Sequence, residues 1–349
     1  MRIVVLGSGG AHKTEASLRR AALSLGHDCR LVDASGWTRR LGAGGAAIAR
    51  RLVESFEPQF LLVTRHAIRL GEPVIRELVQ GREAAFWYFD AAPRAEVLEL
   101  GRAIGRMYIT YRRQLDAYRA AGIEHVDFMP QGLDPIADRP AASAPGAYRC
   151  DVSFVGSGQY PYRHALLRAV AGVCRLQIRG PGWEEAPADL PVAGGPVRGR
   201  RFARVVRGAA ISLGASAVPE QDQDHASASN RMWKVLGCGG LYLGPYVDGI
   251  EHFARHGEHC LWFRGEDEAV ALVRHYLGDP GARARIAAAG REHALAEHTY
   301  SRRLELVLEG RGYRIGADQQ AGNSGGTAES RNSGGAADSR YSGGAADSR

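Results

Sequence analysis

The sequence predicts an α/β protein of two Rossmann-like domains with parallel sheets, joined by a short linker and followed by a tail with no core of its own. A short β-branched run at 3–6, a turn Gly7-Ser8-Gly9-Gly10 and a helix-like segment at 15–26 open the chain. The same succession restarts at 151–155, with Gly156-Ser157-Gly158 and a helix-like segment at 162–173. Between the two starts lies a stretch rich in Pro, Ala and Ser, residues 136–148. Strands alternating with helices predict βαβ units and parallel sheets. A breaker-rich stretch between two such series predicts a linker. The expected boundaries are an N-terminal domain over 1–138, a linker over 139–149 and a C-terminal domain over 150–315.

In the first half, further strands are expected at 29–32, 60–64, 84–89 and 108–110, with helices at 46–56 and 112–121. Their apolar runs are nearly continuous rather than alternating, as strands covered on both faces require. In the second half, strands are expected at 175–178, 210–213, 241–243 and 259–263. Helices are expected there at 231–236, 266–277 and 281–298, from apolar residues recurring at helical spacing. Open α/β sheets bind ligands in the crevice outside the carboxyl ends of their strands, so strand-ending residues are the first candidates for a site. From residue 323 the chain reads NSGGTAESR, NSGGAADSR, YSGGAADSR. These repeats hold almost no apolar side chains and cannot offset chain entropy, so 316–349 is expected to be disordered.

A length of 349 residues with 45% apolar and 24% charged residues fits two ordinary globular cores. The net charge is +7, and lysine occurs only at Lys13 and Lys234, so the excess is arginine. The basic pairs are scattered through helix-like segments with no interleaved aromatics, which gives no specific sign of nucleic-acid binding. The five cysteines (Cys29, Cys150, Cys174, Cys238 and Cys260) are odd in number and far apart, neither a zinc pattern nor a disulfide framework. No apolar run is long enough for a membrane span, and the opening apolar run is too short for a signal peptide. A cytoplasmic protein without a transmembrane segment is expected.

Gly9 and Gly10 stand in a strand–turn–helix junction where backbone N–H groups can face an anion or line an interdomain cleft; a plain tight turn reads equally well. Asp33 ends the second strand, where a dinucleotide fold places its ribose-binding acid. The dinucleotide fingerprint needs glycine at position 12, however, and the residue there is His12. An NAD cofactor is therefore not expected. Arg231 and Lys234, three apart, share one helical face and can hold a diphosphate. Gly239 and Gly240 permit close backbone approach to a ligand. Two surface cations and a glycine-ended helix explain the same residues, and spacing alone leaves both readings open.

The stretches RMWKVLGCGGLYLGPYVDGIEHF at 231–253, EAVALVRHYL at 268–277 and ARIAAAGREHALAEHTYSRRL at 284–304 resemble the CgeB-type (spore-maturation) glycosyltransferase-like family, related to group 1 glycosyltransferases. FWYFDAAP at 86–93, FMPQGLDP at 128–135 and DVSFVGSG at 151–158 resemble it as well. The resemblance implies a GT-B fold of two facing Rossmann-like domains, with a nucleoside-diphosphate-sugar donor held mainly by the C-terminal one and no obligatory metal. In that family the helix before the GCGG-like turn often carries an acid for the donor ribose. Here that position is Lys234, whose ammonium cannot accept a hydrogen bond from a ribose diol.

On this reading Arg163, Arg231 and Lys234 contact the donor diphosphate, Gly239 and Gly240 approach it, and Glu251 orients donor hydroxyls. Glu251 reads equally as an acid complementing a helix N-terminus. His66 and Asp90 end N-terminal strands and are the candidates for the base that takes a proton from the acceptor hydroxyl. Trp183 is expected to cap a turn rather than stack on a base. His252, His256 and His259 do not share a helical face at ligand spacing, so no metal site is expected. The function these readings give is glycosyl transfer to a glycan, protein or small-molecule acceptor. The alternative is a non-catalytic GT-B-like protein that binds a nucleotide or glycan.

Overall fold

The computed structural model describes residues 1–90, 94–215 and 229–315. The repeats from 323 onward, and the disorder expected over 316–349, lie outside the described residues. Met1–Tyr313 form one compact unit; of the second unit, Arg314–Arg349, only Arg314 and Ile315 are described.

The N-terminal lobe is one parallel sheet. Its strands are β1 (Arg2–Leu6), β2 (Asp28–Val32), β3 (Phe60–Thr64), β4 (Glu83–Tyr88), β5 (Arg106–Ile109) and β6 (His125–Phe128). They lie in the order β2-β1-β3-β4-β5-β6. Helices α1 (Thr14–Ser24), α2 (Ala34–Leu41), α3 (Ala43–Glu54), α4 (Glu72–Val79), α5 (Ala95–Ile104) and α6 (Leu115–Ala120) connect them. Every residue of β3 is buried, because successive side chains enter two separate cores. Leu61 and Val63 pack with Val4, Leu6 and Phe86 on one face. Phe60 and Leu62 pack with Ile3, Val5 and Trp87 on the other.

The C-terminal lobe repeats the plan. Its strands are β7 (Cys150–Val155), β8 (Leu176–Arg179), β9 (Val192–Gly194), β10 (Ala209–Leu213), β11 (Tyr242–Pro245) and β12 (Leu261–Phe263). They are all parallel, in the order β12-β11-β10-β7-β8-β9. Its helices are α7 (His164–Ala171), α8 (Arg200–Gly208), α9 (Asn230–Gly237), α10 (Glu266–Gly278) and α11 (Pro280–Glu297).

The final helix, α12 (Tyr300–Leu308), departs from the expected partition. Although the C-terminal domain was expected to run to 315, Tyr300, Leu304 and Val307 are buried in the N-lobe core with Ile3, Val5 and Leu18. The crossing is fixed by the backbone: Leu133 N–H donates to His298 O at 2.8 Å and Tyr300 N–H donates to Leu133 O at 2.9 Å. The chain therefore passes between the lobes twice, at 129–149 and again at 298–300.

Candidate functional site

The strand orders locate a crevice in each lobe. From β1 the chain moves outward to β2, then returns to the far side of β1 as β3. From β7 it moves through β8 and β9, then returns to the far side as β10. Ligands of open α/β sheets bind outside the carboxyl ends of strands at such switch points. The N-lobe switch point carries Gly7 and Thr64, and the C-lobe switch point carries Gly156 and Gly214. The two edges face one another: a Cβ on Gly199, in the loop after β9, would lie 2.5 Å from the His12 ring of the β1–α1 turn.

In the C-lobe, two of the expected cations converge. Arg163 ends a 3-10 turn, Pro161–Arg163, just before α7, and is buried. Its Nη1 donates to Ser157 O at 2.9 Å, and its guanidinium lies 4.3 Å from the centre of the Tyr160 ring. Arg231 starts the first turn of α9, whose Ser229 cap accepts the Arg231 N–H at 3.3 Å. Its guanidinium lies 4.9 Å from the Phe154 ring centre and donates to Ala215 O at 3.3 Å. A Cβ on Gly156 would come within 2.6 Å of Arg231 Nη2, so glycine there lets the guanidinium reach the β7 end. Burial, and then the charge of Arg231, push Arg163 down to about 10. Burial also lowers Arg231. Both remain cationic at neutral pH. Among the described residues no carboxylate lies within ion-pair distance of Arg231. Two guanidinium groups held together repel, and an anion with several oxygens relieves that repulsion through paired, charge-assisted hydrogen bonds.

Trp183 anchors this turn, as expected of a cap. Its indole Nε1 donates to Gly156 O at 2.8 Å and its ring meets Phe154 edge-on.

In the N-lobe, His66 is joined by a residue the sequence did not reveal. Glu15, in the first turn of α1, is completely buried. Its Oε1 accepts from Thr64 Oγ1 at 2.7 Å and from Ser8 N–H at 3.2 Å, and lies 2.5 Å from His66 Nδ1. Burial pushes the Glu15 carboxyl up, but the His66 ring and the Thr64 hydroxyl more than offset this and hold it below the usual glutamate range. An ionised carboxylate only accepts, so Nδ1 carries a proton, which leaves Nε2 as the ring nitrogen that can take up another. Gly7 is required by this packing: a Cβ there would lie 2.1 Å from Thr64 Oγ1 and 2.7 Å from Glu15 Oε1. The partners lie 49 and 51 residues apart in sequence, a separation no local pattern signals.

Asp90, the other candidate base, lies two residues past β4 and is ion-paired with Arg65. Gly9 and Gly10 are exposed on the β1–α1 turn. A Cβ on Gly9 would press on Asp33 at 2.7 Å, and Asp33 itself caps α2 through Gly36 N–H at 2.9 Å. The acid at the dinucleotide ribose position is thus engaged in a helix cap.

Gly239 and Gly240 do not join the arginines. They follow the carboxyl end of α9 and precede β11, which places them at the amino edge of the sheet, opposite Arg231 at the start of that helix. Gly240 N–H donates to Val235 O at 3.0 Å and Gly239 N–H to Leu236 O at 2.9 Å, with Gly239 at φ +74°. This is a Schellman cap. A Cβ on Gly240 would meet Val206 Cγ1 at 2.4 Å, so these glycines serve the helix-to-strand turn and the packing of α8. Lys234 lies one turn along α9 from Arg231, and its charge bears on the buried Asp138 carboxyl in the interlobe connection. Burial raises Asp138, and Lys234 is the first influence acting against that rise.

Glu251 is exposed in the 3-10 turn Ile250–His252, which follows β11 at the carboxyl edge. His256 Nδ1 accepts from Trp262 N–H at 3.0 Å, and His259 stacks on His293 with ring centres 4.0 Å apart. Among the described residues no group of three or more His, Cys, Asp or Glu is placed to hold a metal ion.

Two facing parallel-sheet lobes, with the second chain crossing returning a helix to the first, constitute the GT-B fold. Residues 163–309 match a family described as glycosyl transferase-like. Among solved structures, Anabaena Alr3699/HepE in complex with UDP-glucose is 14% identical, covering 88% of this chain and 98% of its own, with a TM-score of 0.61. Sucrose-phosphate synthase from Thermosynechococcus elongatus is 12% identical, covering 93% and 100%, with a TM-score of 0.60. AviGT4, a glycosyltransferase involved in avilamycin A biosynthesis, is 18% identical, covering 88% and 96%, with a TM-score of 0.57. No curated protein sequence matches this chain.

Proposed function

We propose that this protein is a glycosyltransferase that moves a sugar from a nucleoside-diphosphate donor to an acceptor hydroxyl. The observation that carries the proposal is the convergence of Arg163 and Arg231 on the Gly156-Ser157-Gly158 turn at the C-lobe switch point. The two guanidinium groups bind the diphosphate and neutralise the charge that builds on it as its bond to the anomeric carbon breaks. They supply that charge themselves, so turnover without an added divalent cation is expected. Across the cleft, His66 Nε2 takes the proton of the acceptor hydroxyl as its oxygen bonds the anomeric carbon. Glu15 holds the ring in that tautomer. Glu251, exposed on the same edge as Arg231, would orient donor hydroxyls in this reading. The UDP-glucose complex of the Anabaena protein makes uridine the first base to test. All five cysteines are free thiols, four of them buried, which supports a reducing, cytoplasmic setting.

Lys234 favours a second reading. A lysine facing Asp138 offers no acceptor for a ribose diol, as a nucleotide- or glycan-binding protein without transfer activity would tolerate.

A thermal-shift titration of the full chain with nucleoside diphosphates separates these readings from an empty fold. Binding to the native state alone adds about 2.7 kcal/mol at 100 times Kd. We expect UDP to raise Tm in the wild type and to lose most of that shift in Arg231→Ala, with the ligand-free Tm reporting that the variant is folded. An equal shift in both proteins removes Arg231 from the site. A UDP shift without transfer or donor hydrolysis selects the non-catalytic reading.

A further inference from the structure

α8 and the loop before it carry a dense run of positive charge. Between Arg198 and Arg207 five of ten residues are arginine and none is acidic. Phe202, Ala203, Val205 and Val206 are buried against the lobe. That leaves Arg200, Arg204 and Arg207 exposed along one stripe, since helix positions three and four apart lie over one another. Beside the stripe runs the interlobe connection at 139–149, which also contains no acid.

Two cavities open between these segments. One, of about 550 Å³, is lined by Arg139, Arg200 and Arg204, and on its N-lobe side by Ala11 and His12. The other, of about 530 Å³, is lined by Arg149, Arg175 and Arg207. Ala142 and Ser143 line both, so the two cavities adjoin along one groove-like face. Among the described residues none of these six arginines has a carboxylate within ion-pair distance. The nearby Asp151 accepts the backbone N–H of Arg175 at 2.9 Å.

A row of like charges without counter-charges raises the local concentration of anions, and its shape selects among them. A flat bilayer surface can touch exposed arginines but cannot enter a recess. No Phe, Tyr or Trp lines either cavity, and His12 is the one aromatic ring among the lining residues, so there is no succession of rings on which consecutive nucleobases would stack. A chain bearing one carboxylate per unit can pair with successive guanidinium forks while its rings rest on the small side chains between them. We propose that this groove binds a linear anionic glycan, with carboxylates on successive sugars paired along Arg200, Arg204 and Arg207. Resting on the glycosyltransferase reading, the bound chain is the acceptor. The Ala11–His12 wall belongs to the same β1–α1 turn whose Ser8 N–H holds Glu15 beside His66.

The test titrates fluorescently labelled polygalacturonate into the full chain at low and high salt. Neutral dextran, duplex DNA and vesicles containing anionic lipid are the comparisons. The double variant Arg204→Glu/Arg207→Glu changes two exposed residues outside the donor site, and an unchanged ligand-free Tm reports that it is folded. We expect polygalacturonate to bind where dextran does not, to lose affinity steeply with salt, and to bind about 10-fold or more weakly to the double variant. Equal affinity of wild type and variant, or binding no better than dextran, overturns the proposal. Tighter binding of DNA or vesicles than of the glycan, with the same arginine dependence, overturns it as well. Glycan binding that depends on these arginines, in a protein that no nucleoside diphosphate stabilises, keeps the groove and sinks the transferase reading.

Discussion

Three donors converge on one oxygen of Glu15, a residue with no exposed surface, while Oε2 is buried without a partner. A buried carboxylate in that position is stable only while it stays charged and the donors stay aimed at it. Glu15→Gln keeps the shape and removes the charge. Under the transferase reading we expect kcat to fall by about 100-fold, the lower end of what general-base catalysis contributes. The donor KM should change little, because the diphosphate lies in the other lobe. An unchanged kcat means that the Glu15 charge has no part in the chemistry. The same carboxylate gives a stability test that needs no substrate. Its folded-state pKa is depressed, so its contribution is complete above the ordinary glutamate range, about pH 4–5, and is lost as acid protonates it. The stability gap between wild type and Glu15→Gln should therefore be full above that range and close as the pH falls below it, through the depressed folded-state value. A gap that widens in acid contradicts the assigned charge state. His66 was visible in the sequence because it follows a strand end. Glu15 was not, because its role comes from β3 meeting the start of α1, a contact that exists only after folding.

At the scale of elements, the strands were the most legible part. Residues 60–64 were read from their apolar run alone, and β3 has those bounds. Elements whose burial is partial were missed. α8 reads as a charged stretch because only Phe202, Ala203, Val205 and Val206 face inward. α2 is an eight-residue helix whose start depends on the Asp33 cap. The GCGG turn was legible as a helix stop, while its reading as a ligand contact stayed open, since glycine spacing does not say which edge of a sheet a turn occupies. Gly239→Ala separates the two roles. The added methyl would find ordinary contact, 3.5 Å from Pro140 Cγ, so the cost comes from placing a Cβ residue at φ +74°. We expect a loss of about 1–2 kcal/mol, read as a lower Tm, with the UDP-induced shift unchanged. Loss of UDP binding without a loss of Tm would return the turn to the donor site.

For the whole molecule, the return of α12 to the first lobe couples the end of the folded chain to its beginning. Arg303 shows how closely that helix is held. It is 1% exposed, donates from Nε to Pro130 O at 3.2 Å and from Nη1 to Glu297 O at 3.2 Å, and lies 4.2 Å from the Tyr313 ring centre. Burial pushes it down to about 10, so it remains charged, with two carbonyls and the His298 ring as its partners. Domain boundaries drawn from a linker composition cannot find this crossing. TYSRRLELVL has the pattern of any amphipathic helix, and nothing in it names the lobe it covers. Leu304→Ala tests the assignment. Leu304 is fully buried among Ile3, Val5 and Leu18, so the truncation should cost about 2–5 kcal/mol. Its signature should be spatial as well. Hydrogen exchange is expected to accelerate in β1 and α1, some 280 to 300 residues away in sequence, while β7 and β10 keep their protection. Acceleration confined to the C-lobe strands would mean that α12 is bound energetically to the lobe it follows in the chain. Acceleration in both lobes would mean that the two sheets unfold as one cooperative unit, with α12 as the element that joins them.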